Sequence, residues 1–255
     1  MKRGKFVVVD GLDGVGKGVF LDMLVEEAKS RGGKRVFDAH EFWKENNFHP
    51  AVKDIIGRYD VIVTSEPTFV GGGRYLREEM LSNKAKKEGR RYTIRSIMEM
   101  FAVDRRILYE QLLLPCLQEG IDVYQSRSFS TSITYQRQMA IDAGEDISIA
   151  DILAIPGNEF CSRSEHCMDY LVIPIVHNFE NLMERLKLRE KKDDCIFENV
   201  DFQKRLKQVY ESEEFKSVFW ERRVNLQYMD AGVSVDYSKE QARSFDILYL
   251  AELPF

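Results

Sequence analysis

The 255-residue sequence has no apolar run near the roughly 18 residues that a membrane-spanning helix needs. It has no internal repeat, no low-complexity tract and no clear linker. Solenoid and fibrous architectures are thereby excluded, and 44% hydrophobic with 31% charged residues is the balance of a folded globular chain rather than a disordered one. Excess basic charge is also missing. The formal net charge is -5, so a mainly electrostatic grip on nucleic acid is not expected. Small anions are not excluded, because a few arginines and backbone amides suffice to hold a phosphate. Cysteine is scarce: Cys116, Cys161, Cys167 and Cys195 lack pairing spacing and fit reduced thiols. Cys161, His166 and Cys167 lie close together, but no fourth ligand follows in a familiar zinc pattern, and loop packing is the better reading. The apolar stretch after the basic residues 1–5 is too short for a signal peptide, so a cytosolic protein with no membrane association is expected.

What is present is an alternation of short β-branched runs with longer amphipathic stretches, the pattern of a parallel sheet covered by helices. Strands are expected at residues 6–10, 35–39, 60–64, 121–125, 170–175 and 226–229. Helices are expected at 17–31, 73–81, 92–118, 130–143, 179–189, 201–222 and 239–250. The chain reads as one domain over residues 1–255, with an aromatic-rich insert near 37–58. Asn46, Asn47 and Pro50 make part of that insert a loop.

The most specific local signal lies between the first strand and the first helix. Gly11-Leu12-Asp13-Gly14-Val15-Gly16-Lys17-Gly18 matches the phosphate-binding frame G-x-x-x-x-G-K in the strand–turn–helix context the frame requires. Glycines let successive N–H groups point inward, and the helix start adds partial positive charge. Lys17 supplies a cation for the donor's outer phosphates. ATP is the expected donor, with Gly11, Asp13, Gly14, Val15, Gly16, Lys17 and Gly18 around it. The hydroxyl residue that normally follows the lysine and touches Mg²⁺ is replaced by Gly18, and Val19 comes next.

A phosphate loop names the donor, not the acceptor. Three further segments carry a likeness: Ser65-Glu66-Pro67 with Arg77; Met100-Phe101-Ala102-Val103-Asp104-Arg105; and Arg127 followed by Ser130-Thr131-Ser132-Ile133-Thr134-Tyr135-Gln136. In this order and spacing, together with the phosphate loop, the chain resembles the thymidylate kinase family over most of its length. The resemblance implies a three-layer α/β P-loop NTPase fold with a central parallel sheet flanked by helices. It also implies ATP-dependent phosphorylation of a deoxypyrimidine monophosphate, dTMP first, in a homodimer that uses Mg²⁺. Phe101 would stack on the base and Arg105 would donate to a pyrimidine carbonyl. Ser132 and Gln136 would meet the base edge, and Tyr135 would crowd the ribose 2′ position. Arg77 and Arg127 would bind the acceptor phosphate, and Glu66 would also lie among the substrate-binding residues. Asp13 would accept from the 3′-hydroxyl or help place the metal. Lys17, Arg127 and a lid arginine, Arg189 in a lid near 185–199, would stabilise the transferred group. Ser65-Glu66-Pro67 and Ser126-Arg127-Ser128 also resemble deoxynucleoside kinases, in which a carboxylate such as Glu66 activates a 5′-hydroxyl. A catalytically weak nucleotide-binding relative is the third reading. It rests on three departures from the family pattern: Gly18 in the phosphate loop, Ser65 where an arginine precedes Glu66, and Ser126 where an aspartate precedes Arg127.

Overall fold

The computed structural model describes residues 2–30, 33–178, 180, 182 and 200–250. Six parallel strands form one sheet in the order β2-β3-β4-β1-β5-β6. They are β1 (Phe6–Val9), β2 (Val36–Asp38), β3 (Val61–Ser65), β4 (Asp122–Ser126), β5 (Tyr170–Ile175) and β6 (Asn225–Asp230). All six expected strands are present, within one or two residues of their expected ends.

β1 shows why the sheet is sandwiched. Its sequence Phe-Val-Val-Val is buried throughout, so it must be covered on both faces. Phe6 and Val8 face a large core that includes Leu108, Phe129 and Ile133, whereas Val7 and Val9 face Phe20, Leu24 and Phe245. Helix α1 (Lys17–Ser30) covers the second face with α11 (Val235–Phe245, extended by a wider turn over Asp246–Leu250). The first face is covered by α5 (Ile94–Leu108, continuing through Tyr109–Leu113 and Leu114–Gln118) and α6 (Phe129–Thr131, continuing through Ser132–Gln136 and Arg137–Ala143). This is the three-layer α/β P-loop fold.

The segment expected as an insert near 37–58 starts within the sheet and continues as helix. β2 pairs with β3 as an edge strand, and α2 (Ala39–Glu45) follows directly, its first turn capped by Asp38, which accepts from the His40 amide at 2.8 Å. Ala39 and Trp43, one turn apart, bury against the first-face core. The expected helix at 73–81 begins earlier, as α3 (Gly71–Tyr75, continuing through Leu76–Met80). Four short helices fall outside the expected ones: α2, α4 (Asn83–Lys87), α7 (Ile149–Leu153) and α8 (Pro156–Cys161). The expected helix at 201–222 is two helices, α9 (Val200–Glu211) and α10 (Glu213–Trp220). Ser212 ends one and caps the other by accepting from the Phe215 amide at 3.1 Å. Most of the expected helix at 179–189, the lid at 185–199 and Cys195 lie outside the described residues.

Helix α8 packs against α5 at an intimate point. A Cβ built on Gly157 would lie 2.1 Å from the Ala102 carbonyl oxygen, next to Phe101 and three residues before Arg105. Gly157→Ala must therefore push α8 off α5. The variant is expected to lose about 1–3 kcal/mol of stability, read as a lower urea midpoint with an unchanged slope.

Candidate nucleotide site

The carboxyl ends of β3, β4 and β1 lie side by side, with Ser65 paired to Ser126 and Ser126 paired to Val9. Open parallel sheets bind ligands at such an edge, where the order of strands reverses about β1. The phosphate loop leaves β1 here. Gly11, Gly14 and Gly16 all take positive φ (134°, 76° and 102°), which side-chain-bearing residues resist, so these three positions need glycine. Lys17 arches back over the loop and donates to the carbonyls of Gly11 (3.0 Å) and Leu12 (2.7 Å).

Asp10, directly before the loop, is fully buried. It accepts from the Gly11 amide at 2.7 Å, the Thr131 hydroxyl at 2.7 Å, the Tyr210 hydroxyl at 3.2 Å and the Ser130 hydroxyl. Its carboxylate ties the loop to the start of α6 and to α9. Asp13, inside the loop, is bonded to Arg127, to the Tyr135 hydroxyl (3.2 Å) and to Gln203 Nε2 (3.2 Å), while its amide donates to Gln203 Oε1 at 3.1 Å. Arg127 follows β4 with φ of 67°, an unusual backbone for arginine that turns it toward the loop. Its guanidinium also lies 5.3 Å from the Tyr135 ring centre. Burial raises the Asp13 carboxyl, but the Arg127 and Lys17 charges and the Arg127 and Tyr135 bonds outweigh it and hold the pKa down to about 2.

On the first face lies a second, buried polar cluster. Arg105 is 1% exposed and bonds Glu66 (Nε to Oε2, 2.6 Å), Ser132 (Nη2 to Oγ, 2.9 Å) and Asn158. Glu66 also accepts from Gln125 Nε2 at 2.9 Å. Burial pushes the Glu66 carboxyl up to about 7, and the Arg105 guanidinium beside it keeps it from rising further. Gln136 donates from Nε2 to Ser132 Oγ at 3.2 Å, and its buried carbonyl oxygen has no partner. Phe101, Arg105, Ser132, Tyr135 and Gln136, separated by up to 35 positions in sequence, are thus all buried on adjoining turns of α5 and α6. The turn holding Ser132, Tyr135 and Gln136 is a wider, π-type turn, a local distortion often found at functional sites.

Arg77 takes up a different position. It donates to the carbonyls of Pro67 and Thr68 and stacks 3.9 Å from the Phe69 ring centre, so it braces the segment after Glu66. Asp104 braces the same segment, accepting from the Thr68 amide at 2.8 Å and hydroxyl at 2.7 Å. Arg189 lies outside the described residues. Sequence reading did not single out Gln125, Asn158, Gln203 or Tyr210 for the site. Each is an ordinary polar or aromatic residue in an amphipathic segment, joined to the site only by the fold. Cys161 and Cys167 are buried, burial raises both thiols, and His166 Nδ1 lies 2.8 Å from the Phe160 carbonyl oxygen.

A bound Mg²⁺ finds few ligands in the protein. No Cβ is present at Gly18, the carboxylates of Asp10 and Asp13 are already engaged, and position 126 offers a hydroxyl. No cluster of three His, Cys, Asp or Glu side chains suited to a metal occurs among the described residues. The described residues do not fit a directly held Mg²⁺.

The low Asp13 pKa has a consequence for stability. A carboxylate whose folded pKa lies below its unfolded value stabilises the fold above about pH 4 and loses that contribution as pH falls toward 2. Asp13→Asn is expected to cost on the order of 2 kcal/mol near neutrality. Between pH 4 and 2 its urea midpoint should fall less steeply than that of the wild type.

No family model matches the chain. Curated relatives do. The chain is 30% identical over 134 residues to a probable thymidylate kinase of Pyrococcus abyssi, 52% of each chain. It is 31% identical over 133 residues to a thymidylate kinase of Exiguobacterium sp., 52% of this chain and 49% of that one. A probable thymidylate kinase of Thermococcus gammatolerans matches more of the length, 209 residues and 81% of each chain, at 26% identity. At the 30% level the chain spans about half the length of the curated relatives it matches. Among solved structures, a thymidylate kinase from Candida albicans superposes with a TM-score of 0.64 at 16% identity, covering 96% of this chain and 92% of that one, a likeness of fold. No helix among the described residues is long and apolar enough to cross a membrane. With the phosphate loop, the Phe101–Arg105 turn and the Arg127–Gln136 segment gathered at one sheet edge, the chain is similar to thymidylate kinases in sequence over about half of its length and in fold over nearly all of it.

Proposed function

We propose that the chain transfers the γ-phosphoryl group of ATP to a deoxypyrimidine monophosphate, dTMP first, giving the diphosphate. The observation that carries this reading is the meeting of Arg127 with Asp13 of the phosphate loop. It links the donor's loop to the segment that reads the acceptor. In this reading the donor's phosphates take over Lys17 from the loop carbonyls. Arg127 exchanges part of its contact with Asp13 for the acceptor phosphate, where a guanidinium fork suits two oxygens at once. The acceptor oxygen is already anionic near neutral pH, so positioning and charge neutralisation suffice and no general base is needed. The base would lie over Phe101 with its edge toward Ser132 and Gln136, whose unpartnered carbonyl oxygen awaits an N–H donor. Tyr135, held to Asp13, would stand against the ribose.

Arg105 would act from behind. All three of its nitrogens are bonded within the protein, so it reaches the base mainly by fixing Ser132. Arg77 acts likewise by bracing the turn after Glu66. Mg²⁺, if it accompanies the donor, enters as part of the substrate. A lid arginine, a homodimer, a single domain and a cytosolic setting without nucleic-acid partners belong to the same reading through the family resemblance. The deoxynucleoside kinase alternative is not favoured, because both oxygens of Glu66 are occupied by Arg105 and Gln125, leaving no open carboxylate to take a 5′-hydroxyl proton.

Purified protein with ATP and Mg²⁺ should form dTDP from dTMP and leave thymidine unchanged. Lys17→Ala should lower the rate by about 10²–10³-fold. Turnover of thymidine in preference to dTMP, or turnover of no member of a panel of dTMP, dUMP and dCMP, would overturn the assignment.

A further inference from the structure

The β2–α2 segment places a histidine at the sheet edge, beside Ser65, where the family pattern has an arginine. His40 Nε2 lies 2.8 Å from Ser65 Oγ, and His40 Nδ1 lies 2.8 Å from Asp38 Oδ1. Asp38 sits at the N-terminus of α2, and the same oxygen accepts the His40 amide, so the carboxylate is fixed before it meets the ring. The ring is also boxed in. Its centre lies 5.7 Å from that of Trp43 and 5.8 Å from that of Phe69, both edge-on. A histidine held by hydrogen bonds at both nitrogens and by aromatic rings is a built feature, not a solvated surface side chain.

Its location gives it a use. Ser65 pairs in register with Ser126, and Arg127 is the next residue along, so the Ser65 hydroxyl stands one strand from the proposed phosphate-binding guanidinium. Phe69 connects the histidine to the other side of this corner, because Arg77 stacks on it. We propose that His40 and Ser65 together form a phosphomonoester contact for the acceptor nucleotide, replacing the arginine that Ser65 displaced. This inference rests on the proposed nucleotide kinase reading and adds a phosphate-binding residue to it.

The hydrogen-bond arithmetic makes the proposal specific. In neutral His40 the Nδ1–H donates to Asp38, which leaves a lone pair on Nε2. Ser65 then donates its only hydrogen to the ring and offers an incoming phosphate lone pairs alone. With a proton on each nitrogen, His40 donates to Ser65, and the serine hydroxyl is released to donate outward. The His40–Ser65 hydrogen bond therefore sets whether the serine hydroxyl faces the phosphate as donor or acceptor. The groups facing the ring are Asp38 before α2, Asp22 on α1, Ser65 on β3, Trp43 on α2 and Phe69 after β3; Lys44 on α2 acts on Asp38.

Calorimetry with dTMP, thymidine and ATP tests this on the full chain. His40→Ala and Ser65→Ala are each expected to weaken dTMP binding about 10- to 100-fold. Thymidine, which lacks the phosphate, and ATP should bind as to the wild type. Adding Ser65→Arg to His40→Ala should restore dTMP affinity. Unchanged dTMP binding in His40→Ala overturns the inference alone, as do equal losses for dTMP, thymidine and ATP, which would mark a structural role. Absence of dTMP binding by the wild type would overturn it together with the kinase reading.

Discussion

The ion pair between Glu66 and Arg105 is the constraint around which the buried polar cluster, the acceptor side in the proposed function, is organised. Two charges removed from water are costly, and they are tolerated only when every remaining donor and acceptor is satisfied. Here Gln125 of β4, Ser132 of α6 and Asn158 of α8 complete the set. One guanidinium thereby fixes the relative positions of β3, α5, α6 and α8. Gly157 permits the close approach that brings Asn158 to it. Removing either partner would leave a buried charge uncompensated, a loss of the order of 3–5 kcal/mol. It would also loosen the turn bearing Ser132 and Gln136.

The donor half depends on a comparable but wetter arrangement. Asp10 fastens the phosphate loop from beneath, through hydroxyls of α6 and α9. Asp13 fastens it from above, through Arg127, Tyr135 and Gln203. The two carboxylates hold the same loop but serve different ends. Asp10 is sealed and fully satisfied within the protein. Asp13 is partly exposed, and its bond to Arg127 is the contact that the proposed function exchanges for phosphate.

The parts of this arrangement legible in the sequence were local ones. A strand, a glycine turn and a helix in immediate succession identify the phosphate loop because each requirement is met by neighbouring residues. The six strands were legible because β-branched runs are short and bounded by turns. Ser212 was overlooked because apolar spacing continues across it and only its capping hydrogen bond reveals the break. The insert's strand was visible, but its purpose was not: His40 and Ser65 are 25 residues apart and meet only through the pairing of β2 with β3. The burial of Arg105 was equally hidden. Spacing placed it one turn from Phe101, yet nothing local indicates that Glu66 and Asn158, on other elements, claim its guanidinium.

The departures at Gly18, Ser65 and Ser126 all fall at the carboxyl edge of the sheet, where a kinase must neutralise phosphate charge. The account therefore turns on whether two nucleotides can lie end to end over the loop with these residues in place. A bisubstrate compound in which five phosphates join the 5′ positions of adenosine and thymidine tests that geometry directly. The account predicts that it displaces ATP and dTMP together and binds more tightly than either. Displacement of ATP alone, with dTMP still able to bind beside the compound, would contradict it.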